Sequence, residues 1–405
     1  MAEYVELVAL FFIQGAALGM WLVPLSTVLA AHGLQVIRPY AFAASALAAF
    51  VSPLIFGAMA DRHASPAKVL RGLSLATAVA LAVVSTAIKA GASPWVVLGL
   101  IQVHALCASP TWSLSSSLVF ARLADARRQF GPIRAMATLG WMAGCCGVSV
   151  LNADASTLAG YGGAVTWLLV CGLTFLLPTT EVPAAGGPVR WFERLGLDAL
   201  ALLKLRDHRV VFLTTVLLCL PLAAFYPYAP PHLQALGLTH TSAWMSLGQV
   251  TEIVAMFGLG ALLLRWRLKW IIAAGLGFSV VRFAVSALDN RAGLLAGVFL
   301  HGASYTLVFI TAQIYLDQRV EPAWRTRAQA LLTLLNSGVG NLLGYLLTGW
   351  WFQVCTTGAV TRWPWFWSGL TLIAAGVLVY FLAAYRGRPA QAAGSAATGR
   401  PPHAT

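Results

Sequence analysis

Glu252 is the residue whose type and place most constrain what this chain can do. The sequence has 405 residues, 13 of them acidic. Glu3, Glu6, Asp61, Asp125, Asp154, Glu181, Glu193, Asp198, Asp207, Asp289, Asp317 and Glu321 lie at or beyond the ends of long apolar runs. Glu252 lies inside one, SAWMSLGQVTEIVAMFGLGALLL. A carboxylate at bilayer depth is costly unless it is paired, hydrated or protonated, so such residues are default candidates for ion or substrate pathways. Gln249 precedes it by three positions and shares its helical face. A buried amide beside a buried carboxylate can bind a polyhydroxylated or heterocyclic ligand and accept a proton. The structural alternative is a Glu bonded to a neighbouring helix.

A second group falls in the run at 132–151. Arg134, Thr138 and Trp141 follow i, i+4, i+7 spacing, which sets a cation, a hydroxyl and an aromatic face along one stripe. That set suits a sugar ring carrying a stackable base, although an Arg near the end of a span also commonly snorkels. His301 and Tyr305 are again four apart, with Thr306 next to them. A His in an apolar run is either a hydrogen-bonded structural residue or a titrating one. Gln14 and Trp21 share a face of the first run, and the fourth carries Gln102, His104, Ser109, Thr111 and the serines at 115–117, read as packing residues. Pro221, Pro227, Pro230 and Pro231 interrupt the seventh run around Phe225, Tyr226 and Tyr228. Such breaks are tolerated where backbone lines a cavity, and they often mark a gate. Arg282 has no obvious acidic partner and reads as structural or snorkelling.

The elements that must position these residues are membrane spans. Hydrophobic residues make up 59% of the chain, charged residues 10%, and mean hydropathy is +0.78. A soluble domain carries roughly a quarter charged residues, so the composition is that of a polytopic membrane protein. Spans of about 20 apolar residues can be placed at 5–31, 39–60, 67–90, 94–120, 132–151, 160–180, 208–231, 241–264, 268–288, 292–316, 326–352 and 364–385. The fold expected is an all-α membrane protein with twelve transmembrane helices.

The net charge of +13 points either to nucleic acid or to an anionic membrane, and its placement decides. With both termini cytoplasmic, 20 of the 26 Lys and Arg fall in cytoplasmic segments, four (Arg38, Lys89, Arg291 and Arg362) fall outside, and Arg134 and Arg282 lie within the helical segments. That is the positive-inside bias, so the charge reports topology and no nucleic-acid partner is expected. The first run is too long for a signal h-region and lacks a basic n-region, so it reads as a span. Cys107, Cys145, Cys146, Cys171, Cys219 and Cys355 sit in or at the ends of apolar runs, and Cys145 with Cys146 reads as packing residues. No His or Cys cluster recurs at metal-ligand spacing, and no Ser–His or His–Asp constellation points to an enzyme. No metal, cofactor or catalytic residue is expected.

The chain divides into a six-helix bundle at 1–180, a cytoplasmic linker with an interfacial helix at 181–207, a second six-helix bundle at 208–385 and a disordered cytoplasmic tail at 386–405. The linker opens with Pro183, Gly186, Gly187 and Pro188, then sets Trp191, Leu195, Leu202 and Leu205 among charges, a pattern for a helix lying on the membrane face. The tail is Ala, Gly and Pro-rich with no periodic apolar face. This 6+6 plan with a central cavity resembles the major facilitator superfamily of secondary transporters. GAMADR adds to the resemblance: Gly57, Asp61 and Arg62 match the G-x-x-x-D-R start of that superfamily's signature loop, while the continuation HASPAK departs from it. Gly57 permits close helix approach, and Asp61 can cap a helix or pair with an Arg, so these three are assigned to gating and structure.

A narrower resemblance is to the bacterial nucleoside:proton symporters of that superfamily. FGPIRAMATLGW (130–141) resembles their helix-5 motif, GQVTE (248–252) their helix-8 Gln-x-x-Glu, and residues 300–344 their helix 10–11 stretch. The resemblance implies substrate-binding roles for Arg134, Thr138, Trp141, Gln249 and Glu252, with Glu252 tied to proton coupling. The family's helix-10 Tyr and aromatic correspond to His301 and Tyr305, and a family Asp is Thr306 here, which removes an acidic group from the pocket. With Gln14 these form the expected binding set. The implied protein is a monomer in the bacterial inner membrane, multi-pass, importing nucleosides or related ribosides with protons, its partners being substrate, protons and the lipid bilayer. Rival readings of the same residues are an importer of a sugar or peptidoglycan fragment, an exporter of apolar compounds, and a non-transporting membrane sensor.

Overall fold

The computed structural model describes residues 2–62, 65–120, 122, 126–177 and 195–387, with side chains described for all of these except 2–3, 52–62, 120, 126–132 and 323. The described chain is helical almost throughout. In the first half lie α1 (Ala2–Leu22), α2 (Leu25–Ala31), α3 (Arg38–Arg62), α4 (Pro66–Lys89), α5 (Pro94–Phe120), α6 (Ala126–Val150) and α7 (Leu158–Leu173). In the second lie α8 (Arg206–Leu222), α9 (Phe225–Ala235), α10 (Thr241–Met245), α11 (Leu247–Arg265), α12 (Leu268–Ser286), α13 (Arg291–Phe299) and α14 (His301–Tyr305). They are followed by α15 (Thr311–Arg319), α16 (Pro322–Thr333), α17 (Asn341–Val354) and α18 (Trp363–Ala384), with one short hairpin, β1 (Thr356–Thr357) and β2 (Val360–Thr361), before the last helix.

Among the described residues, 10 helical segments are long and apolar enough to cross a membrane. The shorter apolar helices Gln35–Val51 and Leu158–Leu173 stand where the sequence predicts two further spans. Lipid offers no hydrogen-bond partners, so each span closes its backbone on itself as a helix. Buried apolar side chains gather in three main clusters, two of which draw residues from both halves. Phe11, Phe42, Leu81 and Trp167 belong to one cluster. Phe212, Leu276, Leu331 and Phe381 belong to a second, and Phe225, Phe283, Phe366 and Trp367 to a third.

Within the first half, α1 and α6 cross at backbone distance. A Cβ on Gly140 would stand 1.9 Å from the Phe12 carbonyl oxygen, and one on Gly15 2.1 Å from that of Ala137. Gly15 and Gly19 are four apart on α1, and Gly140 and Gly144 four apart on α6. Paired small residues at this spacing let membrane helices approach closely enough for backbone contact. The sequence carries this signal, and it fixes the rotation of the helix bearing Arg134, Thr138 and Trp141.

A group of hydrogen bonds joins the two halves at one end of the bundle. Asp154, in the loop after α6, accepts through Oδ1 from the Ser242 backbone N–H at 2.6 Å and from the Thr241 hydroxyl at 3.3 Å, both at the start of α10. Ser149 of α6 donates to the same oxygen at 3.1 Å and accepts from the Ala243 N–H at 3.0 Å. Nearby, the Ser26 hydroxyl donates to the Pro227 carbonyl. That carbonyl is available because the residue four positions on is Pro231, which has no N–H to offer it. The proline-broken seventh run therefore becomes two helices, α8 and α9, and its second piece seals against α2. On the same end Arg38 lies over the rings of Tyr228 and Phe352 at 5.9 and 5.6 Å.

Gly57, Asp61 and Arg62 end α3, where side chains lie outside the described residues, as do residues 181–194 of the linker and 388–405 of the tail. The described part of the linker is a 3₁₀ segment, Leu197–Lys204, held to α16 by Asp198 and Arg327 at 2.9 Å.

The polar seam predicts that Asp154→Ala loosens this end. It leaves the Ser242 N–H without its acceptor, worth about 1–3 kcal/mol, which moves a two-state equilibrium roughly tenfold. Spin labels placed by cysteine substitution at the exposed residues Leu151 and Leu288 should show a larger population of long distances in the variant. An unchanged distribution would mean that the seam does not control closure.

Candidate substrate-binding site

The stripe predicted on the fifth run is formed. Arg134 is half-buried with its guanidinium over the Trp112 ring at 4.5 Å, Thr138 is buried, and Trp141 is half-buried with its ring 5.8 Å from that of Tyr226. Tyr226 belongs to α9, so the stripe of one half faces an aromatic ring of the other. Tyr226 stands 6.3 Å from His301, which stands 6.3 Å from Tyr305. Four rings thus run from α6 through α9 to α14, a wall of aromatic faces across the two halves.

Glu252 closes the other side. Its carboxylate interacts electrostatically with Arg134, and both groups act on Tyr305. Tyr226 lies in the field of Glu252 too. No ion pair within 4.0 Å joins Glu252 to a cation among the described residues. Tyr305 is 39% exposed although protein surrounds it, so it borders an internal space. Gln249, one turn before Glu252, is 6% exposed.

Close helix approach places Glu252 here. A Cβ on Gly302 would lie 2.2 Å from the Glu252 backbone nitrogen and 2.2 Å from the Gly248 carbonyl oxygen. The α14 backbone therefore rests on α11 at the residue pair Gly248 and Glu252. Beyond it the helix widens into a π segment, Thr306–Ile310, an irregularity that frequently marks functional sites. Thr306 is fully buried and its hydroxyl has no hydrogen-bond partner among the described residues.

Gln14 is fully buried and donates to the Thr111 hydroxyl at 2.9 Å, tying α1 to α5. Trp21 likewise packs edge-on against His104 at 5.8 Å. Arg282 does not snorkel: it is 2% exposed and donates through Nη1 to His301 Nδ1. The chain also brings residues to the site that no motif singled out. Phe225 stacks on His301 at 3.8 Å and 14°, Tyr226 links the halves, and Trp112 supports Arg134. Phe225 and Tyr226 were legible only as the aromatics inside a proline-broken run.

With this geometry in place the comparisons with known proteins decide the family. A family model described as nucleoside H+ symporter matches residues 1–389. The chain belongs to the nucleoside H+ symporter family. It is 32% identical over 403 residues to the putative nucleoside transporter YegT of Escherichia coli (strain K12), covering 93% of this chain and 92% of that one. It is 24% identical over 388 residues to the xanthosine permease of the same strain, covering 91% and 92%. The crystal structure of the nucleoside transporter NupG superposes with a TM-score of 0.85 at 22% identity, covering 95% of this chain and 100% of that one. The POT family transporter PepTSo superposes at 0.70 and 14% identity, covering 95% and 98%. The fold is therefore the all-α membrane fold of the major facilitator superfamily, and the chain is a multi-pass membrane protein.

The contact at Gly302 makes a prediction. Gly302→Ala should destabilise the protein by about 1–3 kcal/mol through overpacking, or push Glu252 away and weaken substrate binding without removing any side chain that faces substrate. Thermal unfolding and a binding isotherm on the purified variant check this. If both match the parent protein, the α11–α14 contact is not what positions Glu252.

Proposed function

We propose that this protein imports nucleosides or related ribosides by proton symport through alternating access, as a monomer in the bacterial inner membrane with both termini cytoplasmic. It acts as a carrier and performs no covalent chemistry. Twelve spans, six in residues 1–180 and six in 208–385, form the two bundles that rock about the site. The observation that carries the reading is the convergence of Arg134 from one half and Glu252 from the other on a space walled by Trp141, Tyr226, His301 and Tyr305. A nucleoside presents a planar base and a polar sugar, and the wall supplies faces for the one while Arg134, Thr138, Gln249 and Glu252 supply hydrogen bonds for the other. With the termini cytoplasmic, the polar seam at Asp154 lies on the outer side, and the described conformation is the one closed to the outside.

Glu252 carries the coupled proton on this reading. Protonated from outside, it is a neutral donor that can be enclosed with substrate, whereas an enclosed unpaired carboxylate opposes closure. Release of substrate and proton to the cytoplasm returns the empty carrier. Gly57, Asp61 and Arg62 act at the cytoplasmic end, where the signature loop couples the helices that separate.

Proteoliposome uptake of a labelled nucleoside panel, with and without an inward proton gradient, tests the function; no gradient-driven uptake of any member would overturn it. Trp141→Ala should weaken affinity tenfold or more, since base–aromatic stacking is worth roughly 1–3 kcal/mol. Glu252→Gln should keep some binding and allow exchange of labelled for unlabelled substrate, yet lose accumulation, because the amide cannot release a proton. Should Glu252→Gln still concentrate substrate in response to the gradient, the proton is carried elsewhere.

A further inference from the structure

Arg282 is a buried cation among aromatic rings, with its guanidinium 4.7 Å from the Phe225 ring centre and 4.8 Å from that of Phe283. Its Nε has no partner, and no carboxylate bonds it among the described residues. An unpaired buried charge is costly enough that its retention calls for a reason. Its one side-chain bond supplies one, since Nη1 meets His301 Nδ1.

A guanidinium has donors and no acceptor. The ring nitrogen it meets must therefore offer a lone pair, so the imidazole's single proton sits on Nε2. Adding a second proton would set two cations in direct contact. The other groups that face His301 are Phe225 and Tyr226 of α9 and Tyr305 on its own helical face, with Glu252 carried by α11 where it crosses Gly302. None of them is hydrogen-bonded to Nε2 among the described residues.

We propose that Arg282 is a positioning residue for substrate selection: it locks His301 as a neutral Nε2–H donor, and that donor reads an acceptor atom, a carbonyl oxygen or ring nitrogen, on the nucleobase. The ring stacked on Phe225 and flanked by Tyr226 and Tyr305 lies where a planar base would lie, which selects the base over the sugar as its target. The lock also separates two duties that an unrestrained histidine would mix, recognition by His301 and proton carriage by Glu252. The base-reading part rests on the nucleoside reading above, and the tautomer does not.

Two measurements keep these apart. Nitrogen-15 spectra of histidine-labelled protein in lipid bilayers, with His301 assigned by the signal lost in His301→Gln, report the ring directly. The expected result is an Nε2–H tautomer unchanged from pH 5 to 8. An Nδ1–H form, or protonation within that range, overturns the lock whatever the cargo. The second measurement is uptake. Arg282→Met takes away the cation held against Nδ1, so the ring is no longer barred from a second proton and the pH profile of uptake should gain an inflection absent from the parent. Arg282→Lys should restore the parent profile, and adding His301→Gln to Arg282→Met should remove the new inflection, since Gln keeps a donor near the Nε2 position but does not titrate. His301→Ala should raise KM at least tenfold for the transported nucleoside and little for its analogue lacking the base acceptor. If Met and Lys at 282 lower uptake equally with no new inflection, Arg282 is structural only. If the tautomer is as expected and KM is indifferent to the base acceptor, the lock stands and the base contact is wrong.

Discussion

The site depends on helices meeting at backbone distance. In the first half the carbonyl of Phe12 occupies the space where a side chain at Gly140 would be, and in the second the backbone of Glu252 occupies that of Gly302. In lipid no hydrophobic force drives helices together, so association rests on such close packing and on hydrogen bonds. These two contacts do more than hold helices. They fix the rotation of α6, and so the heading of Arg134, Thr138 and Trp141, and they pin α14 on α11, and so the spacing between Glu252 and His301. A transporter needs its half-sites rigid while the halves move. Backbone-to-backbone seams within each half provide that rigidity.

The contacts between halves combine close packing, with a Cβ on Gly349 reaching 2.5 Å from Pro39 and one on Gly338 2.7 Å from the Phe50 ring, with polar bonds of another kind. Asp154, Ser149 and Ser26 bond to backbone groups at α10 and α9 that are available for local reasons: a helix start with unpaired N–H groups, and a carbonyl whose intrahelical donor is replaced by Pro231. Each such bond contributes about 1 kcal/mol net because water can replace it. Polar bonds that water can replace are the part of the seam that can be exchanged as one end opens, while close backbone packing within each half keeps its bundle intact.

Much of this was legible in the sequence because membrane physics leaves few options. An intramembrane Glu announces itself, the spacing from Arg134 to Trp141 sets a stripe, and the prolines after Leu220 mark a break that the structure shows as two helices. The paired glycines at 15 and 19 and at 140 and 144 were equally legible, by their spacing. What sequence could not convey is direction. Gln14 is polar in an apolar run like Gln249, yet it bonds Thr111 inside its own half, because which side of a helix faces a neighbour is set by tertiary rotation. Arg282 has no carboxylate in sequence reach, and only the fold brings a lone pair to it from His301. Asp154 is one more loop acid until the start of α10 arrives beside it.

The placement of charge offers a physical basis for coupling. Arg134 belongs to one half and Glu252 to the other, so any rocking alters the distance between them. At an effective dielectric constant of about 20, separating unit charges from roughly 4 to 8 Å changes their attraction by about 2 kcal/mol. By linkage, a proton on Glu252 must then prefer the conformation that holds Arg134 farther away, by the same amount. That is more than a tenfold difference in proton affinity between two states, produced by geometry alone. Arg282 does not enter this balance, because it and His301 lie in the same half and move together. A pair divided between the halves senses the conformation and a pair within one half does not, which is the physical ground for proposing Glu252 as the proton carrier and His301 as the reader of substrate.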